Sequence, residues 1–167
     1  MTKIYIGFST TTDSWISKVV RWFSKSKVSH SFMAWEQFGQ QWILEAQWNG
    51  VIVGSMKKFE KDNTVVHLIP VPELSEADLA ETLQEAGDAY DYSGLFGVVI
   101  SLIGKRLKKK WKNPWNNTKA VFCSELLVLA LQKAKFPGIE SLTASETTPE
   151  DLLEFLLEYR RTHPIGA

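Results

Sequence analysis

Two kinds of hydrophobic pattern divide this chain: short strand-like runs dominate before Pro70, and helical or all-apolar runs follow it. "KIYIGFS" predicts a strand from Lys3 to Phe8. "DSWISKVVRWFSKS" places Trp15, Ile16, Val19, Val20 and Phe23 at helical spacing behind Asp13 as N-cap. "HSFMAW" (His30 to Trp35) and "QQWILEAQW" (Gln40 to Trp48) are again strand-like. The "EQFG" between them contains Gly39 and predicts a hairpin. "GVIVGSMKKF" and "NTVVHLIPV" continue the strand character until Pro70 and Pro72 stop it.

The second half changes period. "SEADLAETLQEAGDAY" opens on Ser75 with Asp78 three residues on, the pattern of a capping box. "TTPEDLLEFLLEYRR" offers Thr148 as N-cap, Pro149 at the first helical position and Asp151 at the third. Between these, "SELLVLALQKA" is apolar nearly all round and predicts a buried central helix. Strands clustered first and helices after predict an α+β fold. No repeat or low-complexity linker interrupts residues 1–167, so a single domain is expected.

Composition narrows the picture. A chain 44% hydrophobic and 23% charged is globular rather than disordered. A formal net charge of zero gives no global field to attract nucleic acid or acidic partners. Seven Trp are expected in the core or around an apolar pocket. The start, "MTKIYIGFSTTT", lacks a basic segment followed by an apolar one. The longest apolar run, Gly94 to Gly104, is too short to span a bilayer. An intracellular location, cytoplasmic or otherwise, is therefore expected.

One local charge run stands out. Lys105, Arg106, Lys108, Lys109, Lys110 and Lys112 follow the apolar run directly. Apolar plus basic suits a membrane surface, at about 1 kcal/mol per basic residue near an anionic leaflet. The plainer reading, a buried helix and a solvated charged loop, is preferred. Trp111 and Trp115 in "KKKWKNPWNN" could stack on bases, but one short basic run in a neutral chain does not favour nucleic acid.

Chemistry centres on Cys123, the single cysteine, which excludes an intrachain disulfide and a cysteine-based zinc site. It directly precedes the all-apolar run, at a helix N-terminus. Unpaired N–H groups and the macrodipole there favour a thiolate and lower its pKa. The same N–H groups suit an oxyanion at an attacked carbonyl. The alternative is an inert buried thiol.

A nucleophilic thiolate needs a base and an orienting group. Of the three histidines, His163 lies in a polar tail and reads as solvated. His67 lies in a strand that faces either way, and His30 begins a strand among small residues. Alternation puts Ile43, Glu45 and Gln47 on one strand face; Trp42, Leu44, Ala46 and Trp48, on the other, look like the core face. If the hairpin pairs as predicted, Glu45 lies across from the His30 strand. It would hold one imidazole nitrogen and leave the other for Cys123. The alternative for Glu45 is an exposed strand residue, and Gln47 is the second candidate orienter.

"SHSFMAW", "ILEAQWNGV", "YDYSGL", "VFCSELL" and "TPEDLL", in this order, resemble the permuted NlpC-type papain-like superfamily. That group includes bacterial permuted amidase-like proteins and lecithin:retinol acyltransferase-like enzymes. Its histidine strand precedes its cysteine helix, the order found here. The resemblance implies a circularly permuted papain-like fold, an antiparallel sheet packed against helices with the nucleophile at a central helix N-terminus. It implies Cys123 as nucleophile, His30 as base, Glu45 as orienter and the Cys123 backbone N–H in the oxyanion hole. "DAYDYSGL" looks like the family helix beside the cysteine helix. No second histidine soon follows His30, so the chain is closer to the amidase-like branch than to the acyltransferases. A "GD" turn common near the family's site is replaced by "IGFSTTTDSW".

The activity so implied is hydrolysis of an amide, peptide or acyl-amide, through a thioacyl-enzyme, with no metal or organic cofactor. A thiol acyltransferase or lipid hydrolase working at a membrane surface is the second expectation. A non-catalytic binding protein on the same fold is the third.

Overall fold

Why the chain doubles back at residue 38 is plain from its backbone. Phe38 and Gly39 take φ of 54° and 74°, both positive, the signature of a two-residue type I′ hairpin turn. Gly39 adopts this freely, whereas Phe38 does so against its preference and with its ring 86% exposed. The turn joins β2 (His30–Gln37) to β3 (Gln40–Gln47) in the register Trp35↔Trp42 and Met33↔Leu44. The predicted hairpin is therefore present.

The computed structural model describes residues 2–10, 28–47, 50–87, 89–90, 120–121 and 123–165. The helix expected from Asp13, the apolar run Gly94–Gly104, the basic run to Lys112 and five of the seven tryptophans lie outside these residues.

The architecture is α+β. β1 (Ile4–Thr10), β4 (Gly50–Ser55) and β5 (Thr64–Pro70) complete a five-stranded antiparallel sheet in the order β4-β3-β2-β1-β5. β1 pairs with β2 on one side and β5 on the other. The β1–β5 register shifts between Phe8 and Ser9, a bulge that leaves Val66 unpaired. The strand character expected through "GSMKKF" stops early. The Ser55 hydroxyl accepts from the Lys58 N–H and starts a helical turn, α1 (Met56–Phe59).

α2 (Glu76–Thr82) and α4 (Pro149–Thr162) carry the two capping boxes expected at Ser75/Asp78 and Thr148/Asp151. α2 gives way to a 3₁₀ turn at Leu83–Glu85. β6 (Ala89–Tyr90) and β7 (Ala120–Val121) form a short parallel pair. Ala89 and Tyr90 of "DAYDYSGL", the segment the resemblance likened to a family helix, are thus in a strand, and its other residues lie outside those described.

Two apolar layers hold the sheet. α3 (Cys123–Lys133) and α4 pack on one face against Ile4, Ile6, Phe8, Met33, Trp35, Leu44 and Ala46. Leu127, Leu131, Leu152 and Leu156 are fully buried there. α3 is enclosed on nearly every side, as its composition predicts, with Leu129 and Lys133 facing out. The opposite face carries a smaller cluster of Phe32, Ala34, Ile43, Met56 and Phe59, closed by α1. β2 and much of β3 are therefore buried on both faces. The face of Ile43 and Glu45, expected to be the less buried one, is interior too.

Candidate active site

Cys123 is the first residue of α3, so its backbone N–H stands among the N-terminal groups that no helical carbonyl can satisfy. The Ser124 hydroxyl donates to the Thr147 carbonyl at 2.6 Å and ties this turn to the segment before α4. The Gln132 side chain donates to the Leu142 carbonyl at 3.0 Å and fixes the other end of the helix. The thiol is thus held by a rigid element with little exposure.

His30 opens β2 on the opposite face of the sheet, beside the rings of Phe32 and Phe59 at 6.4 and 6.1 Å. Its Nε2 lies 2.7 Å from Glu45 Oε2. The Glu45 side chain is 5% exposed and the imidazole 18%. The Gln47 amide donates to the other carboxylate oxygen, Oε1, at 2.7 Å. Gln47 therefore fixes Glu45, and Glu45 alone of the two expected orienters bonds His30. With Nε2 committed to Glu45, Nδ1 is the nitrogen that remains for the hydrogen bond between His30 and Cys123.

The electrostatics follow from that chain of contacts. Burial alone would push the imidazole pKa down. The hydrogen bonds to Cys123 and Glu45, with their negative charges, outweigh it and hold His30 up at about 10. Burial alone would push the Cys123 thiol up. The His30 hydrogen bond and charge outweigh it, helped by Ser31, and bring the thiol below its ordinary value. Both shifts favour the imidazolium–thiolate form of the pair over the neutral one.

Ser31 was not among the expected site residues. The Glu36 N–H donates to the Lys3 carbonyl at 3.2 Å, so even-numbered residues of β2 turn their N–H groups toward β1. Odd-numbered ones turn toward β3, but that ladder ends at Met33↔Leu44. Beyond it no β3 residue pairs with Ser31, and Ser31 is among the groups that hold the Cys123 thiol pKa down. The sequence did hold a signal. Ser31 is the buried polar member of a β2 face on which Met33 and Trp35 belong to the α3 core and Gln37 is exposed.

The remaining histidines stay apart from the site. His67 sits opposite Phe8 on β5, with β1 between its strand and that of His30. His163 caps α4 and stacks on Tyr159 at 4.4 Å, exposed. Among the described residues no cluster of three or more metal-ligating side chains occurs, and no helix is long and apolar enough to cross a membrane. No protein-family model matches the chain, and a search of curated proteins finds no significant match.

Proposed function

We propose that this protein is a cysteine hydrolase of amide bonds, peptide or acyl-amide, on a circularly permuted papain-like (NlpC-type) fold. One observation carries the reading: a single imidazole joins a buried carboxylate to a thiol at the N-terminus of a buried helix. Chain order supports it, with His30 and Glu45 on sheet strands ahead of the Cys123 helix.

In this reading the Cys123 thiolate attacks the substrate carbonyl carbon and forms a C–S bond. The backbone N–H of Cys123 receives the developing oxyanion. The C–N bond breaks as the His30 imidazolium gives its Nδ1 proton to the leaving amine. Neutral His30 then takes a proton from water, the hydroxide attacks the thioester, and the acid leaves as Cys123 returns to thiolate. Glu45 keeps the imidazole oriented and favours its charged form.

The test is acyl-enzyme capture. Wild-type protein treated with p-nitrophenyl acetate should gain one acetyl group by intact mass, on Cys123, and lose it to water. Cys123→Ala should gain none there, and His30→Ala should acylate far more slowly. Turnover of acyl and peptidyl p-nitroanilides then reads the amide preference. A folded wild-type protein that never acylates would sink the hydrolase reading and leave a binding protein.

A further inference from the structure

Among the described residues, three buried hydroxyls have no hydrogen-bond partner of ordinary geometry: Ser9 and Thr10 at the end of β1, and Ser31 on the adjoining strand β2. Ser9 pairs with His30 across the ladder, and Ser31 pairs with Phe8. Unsatisfied buried hydroxyls destabilise a fold, and their concentration in one place marks a site where something other than stability sets the residue.

For Ser31 the surroundings say what that is. Its side chain is fully buried on the α3 face of β2, the face against which Cys123 packs. Its N–H lies beyond the end of the β2–β3 ladder, its hydroxyl has no ordinary hydrogen-bond partner, and both are among the groups that lower the Cys123 thiol pKa. His30 meets the sulfur from the opposite side of the sheet. Adjacent residues of one strand, His30 and Ser31, thus both act on the thiol.

We infer that Ser31 is a positioning residue for the nucleophile: its N–H and hydroxyl both donate to the Cys123 thiolate and hold it in place before attack. The inference rests on the imidazolium–thiolate pair of the proposed hydrolase. An anionic sulfur is a far stronger acceptor for the hydroxyl than a neutral thiol. When the sulfur becomes a thioester its charge is gone, and the two donors lose their acceptor. Ser31 therefore acts on the resting nucleophile and not on the acyl-enzyme.

Among the described residues, the titratable and charged groups of this site are His30 from β2 and Glu45 from β3, which bonds the imidazole, with Glu125 in the first turn of α3. Replacing Ser31 leaves all of them in place. The experiment is the pH dependence of Cys123 alkylation by iodoacetamide in wild type, Ser31→Ala, Ser31→Thr and His30→Ala, with thermal unfolding of each. In Ser31→Ala the thiol pKa should rise, so that alkylation below the wild-type midpoint slows about 3- to 10-fold, a shift of up to about one unit. Ser31→Thr, which keeps a hydroxyl, should stay near wild type, and His30→Ala should shift further than Ser31→Ala. The Ser31→Ala protein should still unfold cooperatively, at a melting temperature near that of wild type. A Ser31→Ala profile superimposed on wild type overturns the role of Ser31 while the His30 pair stands. Loss of cooperative unfolding in Ser31→Ala assigns Ser31 to packing and overturns it as well. A wild-type thiol that titrates like free cysteine removes the pair itself, and this inference with it.

Discussion

The two faces of the sheet are built for different ends. The α3 face is closed by two helices and a continuous layer of aliphatic side chains, among them Leu127, Leu131 and Leu152. The opposite face has a small aromatic cluster, and next to it three polar side chains in series: Gln47, Glu45 and His30. The nucleophile belongs to the first face and its partners to the second. The β2–β3 ladder ends at Met33↔Leu44, short of His30 and Ser31. Stability and chemistry are thus separated by the thickness of one sheet, and substitutions on the two sides should report on different quantities.

The largest expected effect is on chemistry alone. Cys123→Ala should abolish acylation, by on the order of 10⁴-fold or more, while the protein still unfolds cooperatively in urea. Leu127→Ala, a few residues along the same helix, should cost about 2–5 kcal/mol in the same unfolding experiment, and Ile43→Val on the opposite face only about 0.5–1.5 kcal/mol. Equal losses at the two positions would break the comparison.

Gly7 tests how tightly the second face is packed. A Cβ built there meets the Phe32 ring at 2.2 Å, so Gly7→Ala must displace the ring that lies beside His30. About 1–3 kcal/mol of stability should be lost, with a slower Cys123 alkylation rate measured alongside.

Glu45→Gln should leave the fold intact and reduce kcat/KM about 10- to 100-fold, because the imidazolium loses its charged partner. Its pH profile sharpens the point. In wild type, activity should rise as Cys123 ionises, below the ordinary thiol range, and fall as the His30 imidazolium is lost near about 10. Glu45 raises the His30 pKa, so its removal should move the alkaline limb to lower pH. A limb that stays in place would mean that Glu45 does not set the imidazole charge.

The smallest effect is expected away from both faces. Arg160 on α4 donates to both carboxylate oxygens of Glu73 and, at 3.0 Å, to the Pro70 carbonyl, pinning the last helix to the end of β5. Arg160→Ala should cost about 1 kcal/mol and leave alkylation of Cys123 unchanged.

Much of this was legible in the sequence, for local reasons. Gly39 announced the turn, and Ser75/Asp78 and Thr148/Asp151 announced helix starts, because each signal acts within four residues. Cys123, His30 and Glu45 were legible as candidates because each breaks the pattern around it. Other features depend on contacts distant in sequence. That β1 lies between β2 and β5 is a matter of long-range pairing. The burial of Glu45 follows from α1, whose helical turn hides in a strand-like run until Ser55 caps it. Ser31 reads as an ordinary strand serine until the ladder beside it is seen to end.

The two-residue turn at Phe38–Gly39 has a further consequence. It is the ruler for the hairpin, and Glu45 lies about 20 Å from it, at roughly 3.3 Å per strand residue. Inserting or deleting one residue at that tip would slide β3 by one position against β2. Leu44 or Ala46 would then face His30, and the carboxylate would point into the α3 core. Phe38 can be exchanged at this distant, solvent-exposed corner while Gly39 holds its positive φ, but the length of the turn cannot change: its count is part of the site.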